Sequence, residues 1–321
     1  MFNSILNPPR QTLTWPHLPL AGSETWGHRR LDQILDTSPE LLIDDASKII
    51  FFSDIHRSDK SVDDEFAFNE ALFLHALSRY YHAGFTYIEL GDGDDLWQTP
   101  DFSRIERAYT EIFTLLRGFK AQNRLHMIVG NHEIQGQQYQ HIEKGEFSAD
   151  EGLVLRHRHG GQRLLVVHGH QVDVWSDQLG WLSQELVWLM HRGSNRLGLK
   201  VGDLAAPAGL VSRRLNGWYK NSQQRIALQL TEWAKSRQEP IITGHTHLPV
   251  FPQYYQTPYF NTGCGINPGY ITGIEIENGL IFPVKWFKAG MKRYERVQLA
   301  PALPFERISS LLGKKLLLRS T

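Results

Sequence analysis

Short apolar runs alternate with amphipathic segments along much of the chain. The run Ile49-Ile50-Phe51-Phe52 predicts a buried strand, and similar runs predict strands at 86–90, 125–129 and 163–167. Apolar residues at helical spacing predict helices at about 62–82 and 102–119. This regular order of strands and helices is typical of an α/β fold.

The two ends of the chain show a different pattern. The first 47 residues carry several prolines and few periodic apolar positions, so we predict an irregular N-terminal extension at 1–47. Further strands at 241–243, 273–277 and 280–284 are expected to close a second sheet within one domain at 48–300. The remaining tail, 301–321, is expected to be a packed terminal helix, a disordered end or a basic-apolar membrane contact.

A polar cluster follows the last apolar residue of five predicted strands. The clusters are Ser53-Asp54-Ile55-His56, Gly91-Asp92-Gly93-Asp94-Asp95, Gly130-Asn131-His132-Glu133, His168-Gly169-His170 and Gly244-His245-Thr246-His247. Ligand sites of α/β sheets lie at the carboxyl ends of strands, so we expect these clusters to converge. The first three steps, from Asp54 through Asp92 and Asn131 to His168, are 38, 39 and 37 residues, and each fits one strand–helix–strand unit.

The last step between clusters is longer than the others. His168 and His245 are 77 residues apart, and the extra length holds five tryptophans and apolar residues at helical spacing. Between residues 171 and 237 there are nine Lys or Arg against five Asp or Glu. We predict a helical insertion at about 174–235 that acts as a cap beside the site and favours an anionic substrate.

The composition narrows the function classes. Among 321 residues, 41% are hydrophobic and 21% charged, which is typical of a globular protein. Basic and acidic residues number 34 each, which argues against nonspecific nucleic-acid binding. The single cysteine, Cys264, excludes an internal disulfide framework and a cysteine-based metal site. The sequence contains neither an apolar run of transmembrane length nor the apolar segment of a secretory signal, so we expect a cytoplasmic protein. The alternative expectation is a cytoplasmic protein that also contacts the membrane surface.

The clusters offer the donor types of a metal centre. Two carboxylates, one amide oxygen and four imidazoles are supplied by Asp54, His56, Asp92, Asn131, His168, His245 and His247. This mixture of nitrogen and oxygen donors suits manganese, iron or zinc better than calcium. Residues two apart in an extended chain share one side, which predicts that each Asp-x-His or His-x-His pair points into one site.

The donor set also predicts a chemistry. Two divalent ions about 3.5–4 Å apart need a bridging carboxylate, for which Asp92 is the candidate. Such a pair can clamp a phosphate and lower the pKa of a shared water. His132 lies directly after Asn131 and could protonate a leaving oxygen.

The five clusters resemble the five motifs of the calcineurin-like metallophosphoesterases, over residues 49 to about 290. The resemblance implies a four-layer α/β/β/α sandwich with two metal ions at the strand ends, of which manganese is the first expectation and iron, zinc or magnesium the others. It implies a first ion held by Asp54, His56, Asp92 and His247, and a second held by Asp92, Asn131, His168 and His245. It also implies that His132 is the catalytic histidine.

Three neighbouring residues have two interpretations each. By the resemblance, Asp95 orients His132, while its position also suits a helix N-cap. Arg57 could meet a substrate phosphate or be an exposed arginine without that role. Asp94 is expected to be solvated rather than a ligand.

Other features resemble the UDP-2,3-diacylglucosamine hydrolases of lipid A synthesis. These features are Trp97 after the second cluster, His-Gly-His-Gln at 168–171 with Asp173 nearby, and the insertion. The similarity implies a pyrophosphate-cleaving enzyme whose cap binds acyl chains. Those hydrolases usually have an arginine at the position of His132, whereas histidine is the pattern of the wider superfamily.

We therefore predict a dimetal phosphoesterase that hydrolyses a phosphate ester or pyrophosphate bond by metal-activated water attack. The alternatives are a UDP-2,3-diacylglucosamine-type pyrophosphatase at the membrane surface, a Ser/Thr protein phosphatase, and a metal-binding scaffold without activity. The complete ligand set favours an enzyme. The expected partner is a phosphorylated small-molecule or lipid-linked substrate, with Arg213 and Arg214 as candidate binding residues, and the sequence leaves the oligomeric state open.

Overall fold

The computed structural model describes residues 23–134, 141–173, 209–252, 258–291 and 293–308, without the side chains of 23–25, 209–221 and 307. The α-helices are α1 (Ser23–Thr37), α2 (Glu70–His82), α3 (Phe102–Ala108), α4 (Thr110–Ala121) and α5 (Gly209–Arg237). The strands are β1 (Glu40–Ile43), β2 (Ile49–Phe52), β3 (Thr86–Leu90), β4 (Leu125–Ile128), β5 (His141–Lys144), β6 (Phe147–Asp150), β7 (Gly152–His157), β8 (Arg163–Val167), β9 (Ile241–Thr243), β10 (Tyr259–Asn261), β11 (Tyr270–Glu277), β12 (Leu280–Gly290), β13 (Arg293–Gln298) and β14 (Leu303–Pro304).

Two sheets form the centre of the described structure. The larger has the order β13-β12-β11-β2-β3-β4-β6-β5, with β14 beside β12, and its strands β2, β3 and β4 are parallel neighbours. The smaller has the order β1-β7-β8-β9-β10, with β8 and β9 parallel. Three clusters thus follow adjacent strands of one sheet, and two follow adjacent strands of the other.

The buried apolar residues define four layers. One core lies between the sheets and includes Phe51, Ile88 and Val166. A second lies between the larger sheet and helices α2–α4, and a third covers the smaller sheet with α1 and α5. Strands buried on both faces explain the uninterrupted apolar runs of the sequence. The predicted α/β/β/α sandwich is confirmed.

The predicted helices are shorter than expected. Asp64 accepts a hydrogen bond from the Phe66 backbone N–H at 3.1 Å and starts a short 3-10 helix, Glu65–Asn69, so α2 begins only at Glu70. The helix predicted at 102–119 is divided at Tyr109, whose backbone has φ −116° and ψ 39°. The Tyr109 hydroxyl donates to Asp64 at 2.7 Å, a tertiary contact that local helix propensity does not register.

The predicted irregular extension is wrong for residues 23–43. Helix α1 buries Leu31 and Ile34 against the smaller sheet, and β1 pairs in parallel with β7. Arg30 forms a buried ion pair with Glu151 at 2.7 Å. At the other end, residues 301–308 pack onto the domain, with Ile308 fully buried. Residues 1–22 and 309–321 lie outside the described residues.

The predicted insertion is described in part. Residues 174–208 lie outside the description, and 209–237 form α5. The second half of α5 is a packed layer of the sandwich, because Ile226, Leu230 and Trp233 are buried against the smaller sheet. Trp233 is a core residue because its side chain is fully buried, and its indole N–H also donates to Asp32 at 2.9 Å. No helix in the described parts of the chain is both long and apolar enough to cross a membrane.

Candidate metal centre

The backbone turns sharply where the predicted ligands occur. Left-handed φ angles of 51°, 51°, 52°, 65° and 56° are found at Asp54, His56, Asp92, His245 and His247. The expected extended alternation is therefore wrong. Asp54 and His56 still reach one group of donors, whereas His245 and His247 reach two neighbouring groups. Left-handed conformations cost residues other than glycine roughly 1–3 kcal/mol each, and they occur where the surrounding structure enforces them.

The first group of donors contains Asp54, His56 and His247. One ligand atom from each lies within 4.8 Å of the other two. His247 Nε2 is 3.2 Å from Asp54 Oδ1 and 3.4 Å from His56 Nε2. The structure thus brings together three of the four ligands predicted for the first ion.

The second group contains Asp92, His168 and His245, again within 4.8 Å of one another. His168 Nε2 is 3.2 Å from Asp92 Oδ2, and the same carboxylate oxygen is 3.8 Å from His56 Nε2. Asp92 therefore lies between the two groups, which is the place that a bridging ligand needs. On the outer side, His245 Nε2 is 3.4 Å from Asp173 Oδ2.

Two buried polar atoms at the site form no hydrogen bond of regular geometry, namely Asn131 Oδ1 and His168 Nε2, although the latter is in ionic contact with Asp92 Oδ2 at 3.2 Å. Buried polar groups normally find partners, so each such atom needs an explanation. His168 donates its Nδ1–H to the carbonyl of Leu90 at 3.0 Å, which directs the lone pair of Nε2 into the cluster. Both atoms belong to the predicted second ligand set, and a metal ion is the partner that fits them.

The ionisation states also suit cation binding. Burial would raise the pKa of Asp92, but His168 and His132 hold it well below its usual range. Burial, and then the charge of His132, lower the pKa of His56 to about 4, so this imidazole is neutral. Burial would lower the pKa of His168, but Asp92 and Asp54 raise it to about 9. A metal ion held by Nε2 would therefore displace a proton from His168.

His132 is held at the edge of the first group. Its backbone N–H donates to Asp92 Oδ1 at 2.9 Å, and its Nδ1 donates to Asp95 Oδ1 at 3.0 Å. Burial would lower the pKa of His132, but Asp95 and Asp92 raise it to about 9. A protonated imidazole fixed through Nδ1 keeps Nε2 for a proton transfer.

Asp95 contacts His132, as the resemblance implies, and it caps a turn rather than the expected helix. Besides His132, the same Oδ1 accepts the backbone N–H of Gln98 at 3.0 Å and caps the turn that follows. One carboxylate therefore fixes both the turn and the imidazole.

Glycines allow the clusters to pack closely. A Cβ at Gly130 would overlap Asp92 Oδ1, and a Cβ at Gly244 would overlap Ser53 Oγ and lie 2.5 Å from Asp54 Oδ2. Both positions admit only a hydrogen atom where another residue type would carry a side chain. The glycines that open the third and fifth clusters are therefore required by the close approach of two strand ends.

Arg57 is fully buried and does not face a substrate site. Its guanidinium donates to both oxygens of Glu89, at 2.8 and 2.7 Å, and to Asp94 at 2.8 Å. The suggestion that Arg57 meets a substrate phosphate is therefore wrong, because two carboxylates already occupy its donors. The expectation of a solvated Asp94 is also wrong, since Asp94 is fully buried in this ion pair.

Lys144 extends this buried network. Its ammonium donates to Asp94 at 2.8 Å and to Glu133 at 2.6 Å, and Glu133 also accepts the backbone N–H of Gly130 at 2.9 Å. We call Arg57, Glu89, Asp94, Glu133 and Lys144 the charge network. It joins residues directly beside the first three ligand clusters, so it fixes their relative positions.

The sequence analysis missed three members of the charge network. Glu133 was visible as the last residue of Gly-Asn-His-Glu, and Glu89 as an acid inside an apolar strand run. Lys144 has no signal of its own, because it reaches the network through the pairing of β5 with β6. Arg213 and Arg214 lie on α5, but their side chains are outside the described residues, so the contacts predicted for them stay predictions.

A search of curated proteins gives no match. Similar solved structures include vacuolar protein sorting 29 from Cryptosporidium parvum, with 11% identity, 80% of this chain and 98% of that chain covered, and a TM-score of 0.37. Another is the cold-active protein-tyrosine phosphatase of a psychrophilic Shewanella species, with 13% identity, 92% and 89% covered, and a TM-score of 0.36.

A family model described as calcineurin-like phosphoesterase matches residues 47–249. This region contains all five ligand clusters, the charge network and the strands that place them. The match covers more than half of the chain, and the chain therefore belongs to the calcineurin-like phosphoesterase family.

Proposed function

We propose that this metal-dependent phosphoric ester hydrolase uses two divalent ions, held by Asp54, His56, Asp92 and His247 and by Asp92, Asn131, His168 and His245. The observation that carries the proposal is the pair of buried atoms without a regular hydrogen bond, Asn131 Oδ1 and His168 Nε2, in a group whose Asp92 also lies 3.8 Å from His56 of the first group. Manganese is the proposed metal because the donors mix imidazole nitrogen with carboxylate and amide oxygen; iron, zinc or magnesium are the alternatives.

Divalent ions at this site would withdraw charge from the phosphoryl oxygens and lower the pKa of water there. The protein's own residues do the rest. His132 carries the proton that the leaving oxygen needs, and Asp95 keeps the imidazole in the tautomer that presents Nε2. Asp92 also holds the turn that carries His132, because its carboxylate accepts the His132 backbone N–H.

The proposed reaction is hydrolysis of a phosphate ester or a pyrophosphate bond in a phosphorylated small molecule. His132 supports the wider superfamily pattern over the branch in which arginine occupies this position. The UDP-2,3-diacylglucosamine-type pyrophosphatase therefore ranks second, supported by the tryptophans and basic residues of the insertion, among them Arg213 and Arg214. A Ser/Thr protein phosphatase ranks third, and a scaffold without activity is disfavoured by the complete ligand set.

A substrate panel tests this proposal. Purified protein loaded with Mn²⁺ is assayed on p-nitrophenyl phosphate, bis-p-nitrophenyl phosphate, a nucleotide-sugar pyrophosphate and UDP-diacylglucosamine. We expect turnover of at least one ester that is lost in Asn131→Ala. Absence of turnover on every substrate, with two ions bound per chain, would favour the scaffold.

The cellular location is proposed from the sequence alone, as cytoplasmic with peripheral contact at the membrane surface. The basic and apolar residues of the insertion and the tail support membrane contact. Sedimentation with anionic liposomes at low and high salt tests it. Binding that salt does not weaken would argue against an electrostatic contribution.

A further inference from the structure

The ring of His132 is enclosed by two aromatic partners. The indole of Trp97 stacks on it with 4.2 Å between ring centroids and 22° between planes. The imidazole of His56 meets it edge-on, at 4.5 Å and 79°. Hydrogen bonds to Asp95 and Asp92 hold the ring nitrogen Nδ1 and the backbone nitrogen of His132.

Trp97 is held in place by the turn in which it lies and by the loop that carries His132. Its side chain is 6% exposed, and its Nε1–H donates to the carbonyl of Ile134 at 3.4 Å, just after the turn that carries His132. Trp97 also lies in the turn that Asp95 caps. The same short segment, 95–97, therefore contacts His132 through one carboxylate and one aromatic face.

The hydrogen bond to Asp95 and the stacked indole of Trp97 restrain different motions of the His132 imidazole. The hydrogen bond to Nδ1 fixes the position of that nitrogen but restrains the tilt of the ring plane only weakly, because a hydrogen bond tolerates a broad range of angles. A stacked neighbour restrains that tilt, because tilting the ring would lose its contact with the indole face. Only both contacts together define where Nε2 points.

We propose that Trp97 is a positioning residue for His132, which sets the plane of the imidazole so that Nε2 is aligned with the leaving oxygen of the substrate. This inference rests on the proposed phosphoesterase function. In this role Trp97 needs no contact with the substrate or with a metal ion. It acts through His132 by excluding ring orientations that cannot deliver the proton.

The experiment is a double-mutant cycle in Mn²⁺-loaded protein with Trp97→Leu, His132→Ala and the combined variant. Turnover is measured on phenyl phosphate, whose leaving group needs a proton, and on 2,4-dinitrophenyl phosphate, whose leaving group does not. We expect Trp97→Leu to lower kcat on phenyl phosphate about 10- to 100-fold, since a misplaced catalytic group costs up to that much. KM should change less than twofold, and the loss on 2,4-dinitrophenyl phosphate should be small.

Two further results would support positioning. Trp97→Leu should add no loss in the His132→Ala background, and Trp97→Phe, which keeps an aromatic face, should recover most of the activity. Equal losses in both backgrounds, or equal losses on both substrates, would overturn the proposal. Trp286→Leu is the matched control, because Trp286 is equally buried at 3% exposed but packs in the core beside Tyr80, so it should lower stability and spare kcat.

A spectroscopic measurement separates this inference from the proposed function. In ¹³C–¹H spectra of histidine-labelled protein, the carbon-bound ring protons of His132 should be shifted upfield by the stacked indole and lose that shift in Trp97→Leu. If the wild type hydrolyses no ester but shows this shift, the proposed function fails while the stacking stands. If His132 gives the same signals in both proteins, the positioning role is wrong whatever the activity.

Discussion

Replacing Lys144 by methionine removes one cation from the buried charge network. The Lys144 side chain is 2% exposed, and its ammonium donates to Asp94 at 2.8 Å and Glu133 at 2.6 Å. Methionine fills a similar volume without the charge. Asp94 keeps its contact with Arg57, and Glu133 keeps the backbone N–H of Gly130. Three carboxylates of the network then remain with one cation, because Glu89 and Asp94 share Arg57 and Glu133 has lost its ammonium partner.

Breaking a buried ion pair by removing one partner typically costs about 3–5 kcal/mol. Because each carboxylate here retains at least one other donor, we expect Lys144→Met to fall within that range. For a chain of this length, with an unfolding entropy of about 2.1 cal/mol/K per residue, such a loss lowers the apparent Tm by roughly 4–8 °C. Lys60→Met is the matched control, because Lys60 pairs with Glu70 at 2.7 Å while both side chains are about one-third exposed. Exposed pairs of this kind contribute about 0.2–1 kcal/mol.

The loss should also depend on pH. Burial would raise the pKa of Asp94, but Arg57 and Lys144 lower it to about 2. A carboxyl group with a lowered folded-state pKa stabilises the protein above its unfolded pKa, near 4, and this stabilisation is lost as the pH falls towards 2. Without Lys144 that contribution shrinks, and the pKa of Glu133, already raised by burial, rises further. The deficit of Lys144→Met should therefore be largest near pH 7 and decrease towards pH 4.

The assay is urea unfolding of metal-free protein at pH 4, 5, 6 and 7, followed by circular dichroism. Chelated protein is used so that metal loss does not contribute to the pH dependence. Equal losses of unfolding free energy in Lys144→Met and Lys60→Met would show that a buried ion pair of the charge network stabilises the protein no more than an exposed one. A deficit that grows as the pH falls would contradict the assignment of Asp94 and Glu133 as the groups left without a partner.

Three further predictions concern the site itself. His132→Ala should lower kcat about 10²–10⁴-fold with metal content nearly unchanged, measured by steady-state kinetics and elemental analysis; lost metal would identify His132 as a ligand instead. Asn131→Leu should leave the metal-free Tm unchanged or raised, because its buried Oδ1 has no partner, but abolish the rise in Tm that Mn²⁺ gives the wild type. Replacing Arg213 and Arg214 by alanine should weaken turnover of the natural substrate while sparing a small aryl phosphate, and equal loss on both would show that they only support the structure.

Sequence patterns predicted the parts of this protein that follow local rules. The apolar run Ile49–Phe52 is buried at all four positions, and the polar cluster after it lies at the strand end as expected. Five repeats of this pattern predicted which residues would converge, because parallel strands in neighbouring units end at the same edge. The fold and the candidate ligands were thus accessible without coordinates.

The errors share a different cause. Tyr109 divides a predicted helix because its hydroxyl bonds to Asp64, 45 residues away. Asp94 resembles a solvated acid in the sequence, and only the approach of Arg57 and Lys144 makes its burial favourable. Residues 23–37 carry only Leu31, Ile34 and Leu35 at helical spacing, a short local signal, and α1 is fixed because the smaller sheet offers a surface for these residues to cover. Each error concerns a long-range contact that local propensity does not contain.

The charge network and the strained ligand loops are two aspects of one physical requirement. Asp54, His56 and Asp92 hold left-handed backbone angles, which the chain would relax if the loops were free. The backbones of Arg57 and Asp94 pair in parallel next to these residues. The ion pairs of Asp94 with Arg57 and Lys144 then hold the ligand loops in fixed relative positions. An apolar filling could stabilise the interior as well, but it would not orient three loops by directed hydrogen bonds. We therefore expect variants that remove the network's charges together, keeping the volume, to fold and yet to bind metal less tightly.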